Sequence, residues 1–160
     1  MSEVVVVSGN PRPGSRTRVL AESVGAAVAR REGVSSPVVV DLAEYGPALL
    51  APDDVRVAGG LARARAARVL VVATPTYKGS YTGVLKVFLD GLPHQGLAGV
   101  VAVPVTVGAN REQAEQSGRH LRGLLAELGA QVRPGLAVTE ADLGDPGVPD
   151  RYVAALADRV

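Results

Sequence analysis

The chain holds no cysteine, no tryptophan, one phenylalanine and two lysines in 160 residues. Without cysteine there is no disulfide framework, no thiolate zinc site and no thiol nucleophile. Aromatic residues make up 3% and apolar residues 47%, so a core must be assembled from Val, Leu and Ala. That is the composition of a parallel sheet covered by helices on both faces. An excess of charge is also lacking. The net charge of +1 gives no general electrostatic reason to bind nucleic acid or a membrane. No apolar run reaches membrane-spanning length, and the N-terminus has no signal-peptide pattern. The expectation is a cytoplasmic protein of one domain, residues 1–160, long enough to bury a core. Both lysines, Lys78 and Lys86, fall in one short segment of a chain that otherwise writes its cations as arginine. Either that segment has particular requirements or two residues have clustered by chance.

What is present is most informative at the start. The apolar run Val4-Val5-Val6-Val7 leads into Ser8-Gly9-Asn10-Pro11-Arg12-Pro13-Gly14-Ser15-Arg16-Thr17, and a helix-compatible stretch follows. A buried strand, a loop of small polar residues and a helix N-terminus together form an anion cradle, where free N–H groups and the positive end of the helix dipole face the ligand. Ser8, Ser15 and Thr17 add hydroxyls, and the Arg16 guanidinium can grip a phosphate through two nitrogens. The same residue types also make ordinary polar turns. Neither G-x-x-x-x-G-K-[ST] nor G-x-G-x-x-G occurs after the strand, so triphosphate and standard dinucleotide sites are disfavoured. A single terminal phosphate, as on a flavin mononucleotide, suits the loop better.

Strand-like and helix-like segments alternate along the chain. Strands are expected at Val4–Val7, Pro37–Asp41, Val69–Ala73, Gly99–Val105 and Gln131–Val138. Helices are expected from Thr17 to Arg31, from a cap at Asp53 or Asp54 to Ala66, from Val84 to Leu92, from Asn110 to Leu128-Gly129, and from Asp150 to Val160. Five β-α units with continuous apolar strands predict an α/β fold, a doubly wound five-stranded parallel sheet of the flavodoxin-like order 2-1-3-4-5. Ligands of such sheets sit beyond the carboxyl ends of the strands where strand order reverses. This brings three loops together: Ser8–Thr17, Thr74–Thr82 and Thr106–Asn110. A receiver domain would carry acids at the ends of strands one and three. Ser8 and Thr74 stand there, and that reading fails.

The second loop, Thr74-Pro75-Thr76-Tyr77-Lys78-Gly79-Ser80-Tyr81-Thr82-Gly83, is stiff at Pro75 and permissive at Gly79 and Gly83. It can press N–H groups against the edge of a flat heterocycle while a tyrosine covers it, or it can be a plain connection whose tyrosines pack on the protein. With the first loop and the following Val-Leu-Lys-Val-Phe-Leu-Asp, it resembles the NADPH-dependent FMN reductase family, and most of all the reductase components of two-component flavin monooxygenase systems. The resemblance spans Val4 to about Val138 and implies a flavodoxin-like fold, bound FMN, and NADPH or NADH as donor. It implies that Ser8, Ser15, Arg16 and Thr17 hold the FMN phosphate. Pro75, Thr76, Tyr77 and Lys78 would line the isoalloxazine, with Ser80 and Tyr81 nearby. Gly108 and Ala109 would approach the ring or the nicotinamide, in a third loop that lacks the Gly-Gly-Ser form of close relatives.

Hydride transfer between stacked rings needs no protein nucleophile or base. The expected tasks are alignment and donors for the charge that grows on the reduced ring. Backbone amides are the leading candidates; Lys78 is either an electrostatic partner or a solvent-facing side chain. No metal site is expected. His94 reads as a surface residue. His120 reads as an ordinary helix position, or as the residue that some two-component reductases insert to make a π-bulge at a subunit contact. Lys86 and Asp90 match a pair that in the resembling family bonds across a dimer interface, which implies a homodimer or homotetramer. A flavin-dependent monooxygenase is the implied partner. The alternatives are an FMN-bound quinone, azo or metal-oxyanion reductase, a flavodoxin-like electron carrier, and a flavin-free scaffold.

Overall fold

A computed structural model describes residues 3–51 and 53–157. Its strands are β1 (Val4–Ser8), β2 (Val38–Asp41), β3 (Val69–Pro75), β4 (Val101–Gly108), β5 (Gln131–Val132) and β6 (Leu136–Thr139). Its helices are α1 (Arg16–Glu32), α2 (Val55–Ala66), α3 (Gly83–Asp90), α4 (Arg111–Glu127) and α5 (Val148–Ala157). The sheet order is β2-β1-β3-β4-β5, with β6 also on β4, and every ladder is parallel.

The run of four valines in β1 is explained by covering on both faces. Val5 and Val7 enter a core with Leu70, Val72, Leu85, Phe88, Leu89, Leu121 and Leu125. Val4 and Val6 enter the opposite core with Leu20, Val24, Val28, Val71 and Val105. Alternate side chains point to opposite faces, so a strand covered twice reads as an unbroken apolar run. Close approach of α1 to the sheet depends on Gly25, where a Cβ would lie 2.3 Å from a methyl of Val6.

The expected fifth strand is interrupted. Arg133 N–H still reaches Ala102 O at 2.9 Å, but Pro134 has no N–H to give, and the ladder resumes only at Leu136. Proline is tolerated there because the strand is at the sheet edge. The closing helix begins at Val148 rather than Asp150, with Pro149 in its first turn, where no N–H is missed; residues 158–160 of the expected helix lie outside the described residues. Asp54 caps α2, accepting N–H bonds from Arg56 at 3.0 Å and Val57 at 3.2 Å. These bonds, that from Val57 foremost, hold its carboxyl below the usual range. In α2 and the turn after it, Arg63 pairs with Glu3 at 3.2 Å and Arg68 with Glu32 at 3.0 Å. No group of acids and histidines among the described residues could hold a metal ion. No described helix is long and apolar enough to cross a membrane.

Candidate functional site

The carboxyl ends of β1, β3 and β4 carry the three loops, and polar bonds tie them into one frame. Thr82 Oγ1 donates to Gly9 O at 2.6 Å, joining the second loop to the first. The Thr82 N–H donates to Thr74 Oγ1 at 3.1 Å, and its Oγ1 accepts from Leu85 N at 3.2 Å to cap α3. Thr82 is therefore a fastening residue, and its burial at 1% exposure is supported by three polar partners.

In the first loop, Ser15 caps α1, its Oγ accepting from Arg18 N at 3.1 Å. The N–H groups of Arg16 and Thr17 lie in the first helical turn, where no intrahelical acceptor exists, and the dipole adds positive potential there. Asn10 is buried beside them. Its Nδ2 donates to Thr17 Oγ1 at 3.3 Å and its Oδ1 accepts from Arg12 N at 2.9 Å.

The second loop contains a two-residue hairpin turn. Tyr77 and Ser80 exchange both backbone bonds, at 2.9 and 3.2 Å, around Lys78 and Gly79, whose φ angles are 52° and 82°. Positive φ at both central residues is the type I′ turn, which glycine enters freely and lysine only at a cost of about 1 kcal/mol. Helix α4 holds this turn: Gln116 Nε2 donates to Gly79 O at 2.9 Å, and His120 Nδ1 lies 2.9 Å from Ser80 Oγ. Helix α4 is α-helical throughout, with no π-turn at His120.

In the third loop, Gly108 lets α4 sit directly on the strand end, because a Cβ there would lie 2.6 Å from Ala114 N. Asn110 Oδ1 caps α4 through Gln113 N at 2.9 Å.

Between these loops lies an open cleft of about 480 Å³. Of the residues expected from sequence, Ser15, Arg16, Thr17, Pro75, Thr76, Tyr77, Gly108 and Ala109 line it. Four do not. Ser8 is fully buried at the end of β1, with an unpartnered Oγ. Lys78 stands exposed at the hairpin tip because the chain reverses after Tyr77. Ser80 faces His120, and Tyr81 packs on the core beside α3. The lining also includes Asn10, Arg12, Gly14, Gln113, Glu140 and Leu143. The last two follow β6, which runs parallel beside β4 and so delivers its own C-terminal loop to the same end of the sheet. The rule that selected three loops could have selected this fourth.

The cleft's chemistry is uneven. One end has the α1 amides, the hydroxyls of Ser15 and Thr17, and the Arg16 guanidinium, 4.0 Å from the Glu140 carboxylate and 68% exposed. The middle has Thr76, whose Oγ1 is buried without a partner, and the glycine backbone of the third loop. Among the described residues, Tyr77, 41% exposed, is the one aromatic side chain on the lining. A donor-rich end suits a phosphate, and an unsatisfied hydroxyl beside an exposed tyrosine suits the polar edge and flat face of a heterocycle.

The chain is similar to known proteins in sequence and in fold. NADH-dependent FMN reductase SfnE of Pseudomonas putida is 31% identical over 163 aligned positions, covering 98% of this chain and 86% of that protein. SfnF of the same species is 32% identical, covering 82% and 73% respectively. The apo crystal structure of the NADH:FMN oxidoreductase EmoB superposes with a TM-score of 0.83 at 30% identity, covering 97% of this chain and 90% of that one. Residues 2–142 match the family model for NADPH-dependent FMN reductase. The chain therefore belongs to the NADPH-dependent FMN reductase family, flavodoxin-like enzymes that use FMN and a reduced nicotinamide nucleotide.

Proposed function

We propose that the cleft receives FMN with its phosphate on the first loop and its ring against the second and third, and that the protein releases reduced flavin to a partner monooxygenase. The observation that carries this reading is the single open cleft joining the α1 N-terminus to the exposed face of Tyr77. The resemblance to reductase components of two-component monooxygenase systems supports the choice of acceptor. The flavin, when bound, supplies the redox chemistry, accepting hydride from the reduced nicotinamide. The chain's own residues position and polarise. Arg16 and the first-turn amides of α1 hold the phosphate. Thr76 offers its free hydroxyl to the ring edge. The backbone around Gly108 and Ala109 offers donors where negative charge grows. Lys78, at the hairpin tip, is a solvent-facing residue in this reading.

Ring coverage within one chain is thin, because Tyr81 is committed to the core and Tyr77 stands alone. An affinity near micromolar, about −8 kcal/mol, follows from so few stacking partners. The protein is therefore expected to elute nearly colourless from gel filtration after dilution, and its turnover to saturate with added FMN. Stoichiometric yellow protein that survives dialysis, with rates indifferent to free FMN, would instead favour a quinone or azo reductase with resident FMN.

Assembly is part of the proposal. In the single chain Lys86 Nζ pairs with Asp90 Oδ1 at 2.6 Å along α3, both side chains remaining about half exposed. Such an i,i+4 pair stabilises a helix by only about 0.3–0.5 kcal/mol, too little to shape a segment. The half-buried Val84 and Val87 beside it suit a face that meets a second copy. Asp90→Lys is expected to lower the molecular mass measured by light scattering. An unchanged mass would leave the pair as a surface contact.

A further inference from the structure

A trough of about 470 Å³ runs beside α4 and shares no lining residue with the flavin cleft. Its floor is Pro104 and Thr106 of β4, with Gly135 and Ala137 beside them; Thr106 and Ala137 stand opposite each other in the ladder. The Thr106 hydroxyl is spent inside, donating to Ala114 O at 2.7 Å. The overhang is one flank of α4, where Arg111, Glu115, Gly118 and Arg122 recur at helical spacing with Arg119 next to them. A Cβ on Gly118 or on Gly135 would in each case lie 3.7 Å from Arg122 Nη1. That guanidinium therefore reaches from the helix across to the interrupted strand. Three arginines thus face one acid. Arg111 Nη1 is 3.7 Å from Glu115 Oε1, whereas Arg119 and Arg122 have no acid partner among the described residues. Arg30 and Arg151, by contrast, each hold an aspartate.

The trough also borders an open sheet edge. Strand β6 pairs with β4 on one side and with no described strand on the other. A chain laid along that edge would continue the sheet, and every second side chain would fall under the α4 flank, toward the guanidinium groups. From Arg111 to Arg122 the helix advances about 16 Å, the length of about five residues of extended chain. Guanidinium binds carboxylate through two parallel N–H bonds. We propose that this trough docks an extended acidic segment of a partner protein, added as a strand on β6 with its carboxylates on Arg119 and Arg122. A free phosphate would occupy one guanidinium and leave the strand edge unused. Nucleic acid is disfavoured by the net charge of +1 and by the lack of an aromatic side chain on the lining for a base to stack on. The proposal does not depend on the flavin reading of the cleft.

The test is calorimetric titration of the full chain with a synthetic extended peptide carrying glutamate at every second position. It is run on wild type, on the double variant Arg119→Gln with Arg122→Gln, and on Glu115→Gln. Wild type is expected to bind the peptide, and the double variant to bind it about tenfold or more weakly. Glu115→Gln removes the one competing acid and should tighten binding about two- to threefold, a gain that misfolding cannot produce. The same peptide with glutamine for glutamate should bind wild type about tenfold more weakly, and so should one N-methylated at alternate residues, which has lost strand-pairing donors. FMN-dependent oxidation of NADH should be unchanged in the double variant. Failure of wild type to bind the acidic peptide, equal binding by the double variant, or weaker binding by Glu115→Gln would overturn the proposal. Equal binding of the N-methylated peptide would remove the added strand. Displacement of the peptide by equimolar inorganic phosphate would make the trough a free-anion site instead. A lower molecular mass for the double variant in light scattering would make it a contact between copies of this chain, and either result contradicts the partner proposed.

Discussion

Gly108→Ala is expected to destabilise the fold by about 2 kcal/mol, lowering the melting temperature by roughly 4–8 °C in a chain of this size. The new Cβ would lie 2.6 Å from Ala114 N and 3.0 Å from its Cα. Both are backbone atoms of α4, so no rotamer change relieves the clash and the helix start must move. That movement carries Gln113 and Ala109, which line the cleft. FMN-dependent turnover, measured well below the melting transition, should fall by about tenfold or more, since small displacements of positioning groups cost rate steeply. Gly59→Ala is the control. Its Cβ meets nothing within 4 Å and its place is exposed in α2, so it should stabilise by about 0.5–1 kcal/mol through helix propensity and reduced chain entropy. If Gly108→Ala and Gly59→Ala shift the melting temperature in the same direction, the close packing of α4 on β4 is not what holds this corner of the site.

Arg16→Ala should weaken FMN by roughly tenfold, about 1.5 kcal/mol, and leave riboflavin unchanged. A charge-assisted bond to phosphate can be worth more, but the guanidinium is 68% exposed and solvent screens it. Glu140, 4.0 Å away, faces the same phosphate position with the wrong sign. Glu140→Gln should therefore tighten FMN modestly, again without effect on riboflavin. Ser8→Ala should cost less than Arg16→Ala, because its hydroxyl is sealed at the strand end rather than on the cleft wall. Equal losses of FMN and riboflavin in Arg16→Ala would place the phosphate elsewhere.

The sheet was legible because its signals are local and repeated. Consecutive valines in β1 report a strand buried on both faces, and five such runs with helices between them leave few topologies. The first loop was legible for a similar reason: strand, small polar residues and helix cap lie in continuous sequence. What escaped reading depends on distant partners. The resemblance put Lys78 on the ring-lining loop, with a solvent-facing lysine left open; its place at the hairpin tip comes from the type I′ turn, which is fixed by the backbone pairing of Tyr77 with Ser80 and by Gln116 on α4. The break in the last strand was signalled by Pro134-Gly135, yet apolar residues on either side masked it. Glu140 and Leu143 carried no motif. Their place at the cleft comes from β6 pairing beside β4, and from the interruption that sets where β6 ends.

The most direct test of the account is to mix the full chain with NADH or NADPH and follow the nicotinamide absorbance as FMN is added. The account predicts negligible oxidation without FMN, and oxidation that rises with FMN and saturates near micromolar concentration. Binding of FMN with no nicotinamide oxidation would mark an electron carrier, and no binding of FMN at all would mark a scaffold; either result contradicts the reductase assigned to this cleft.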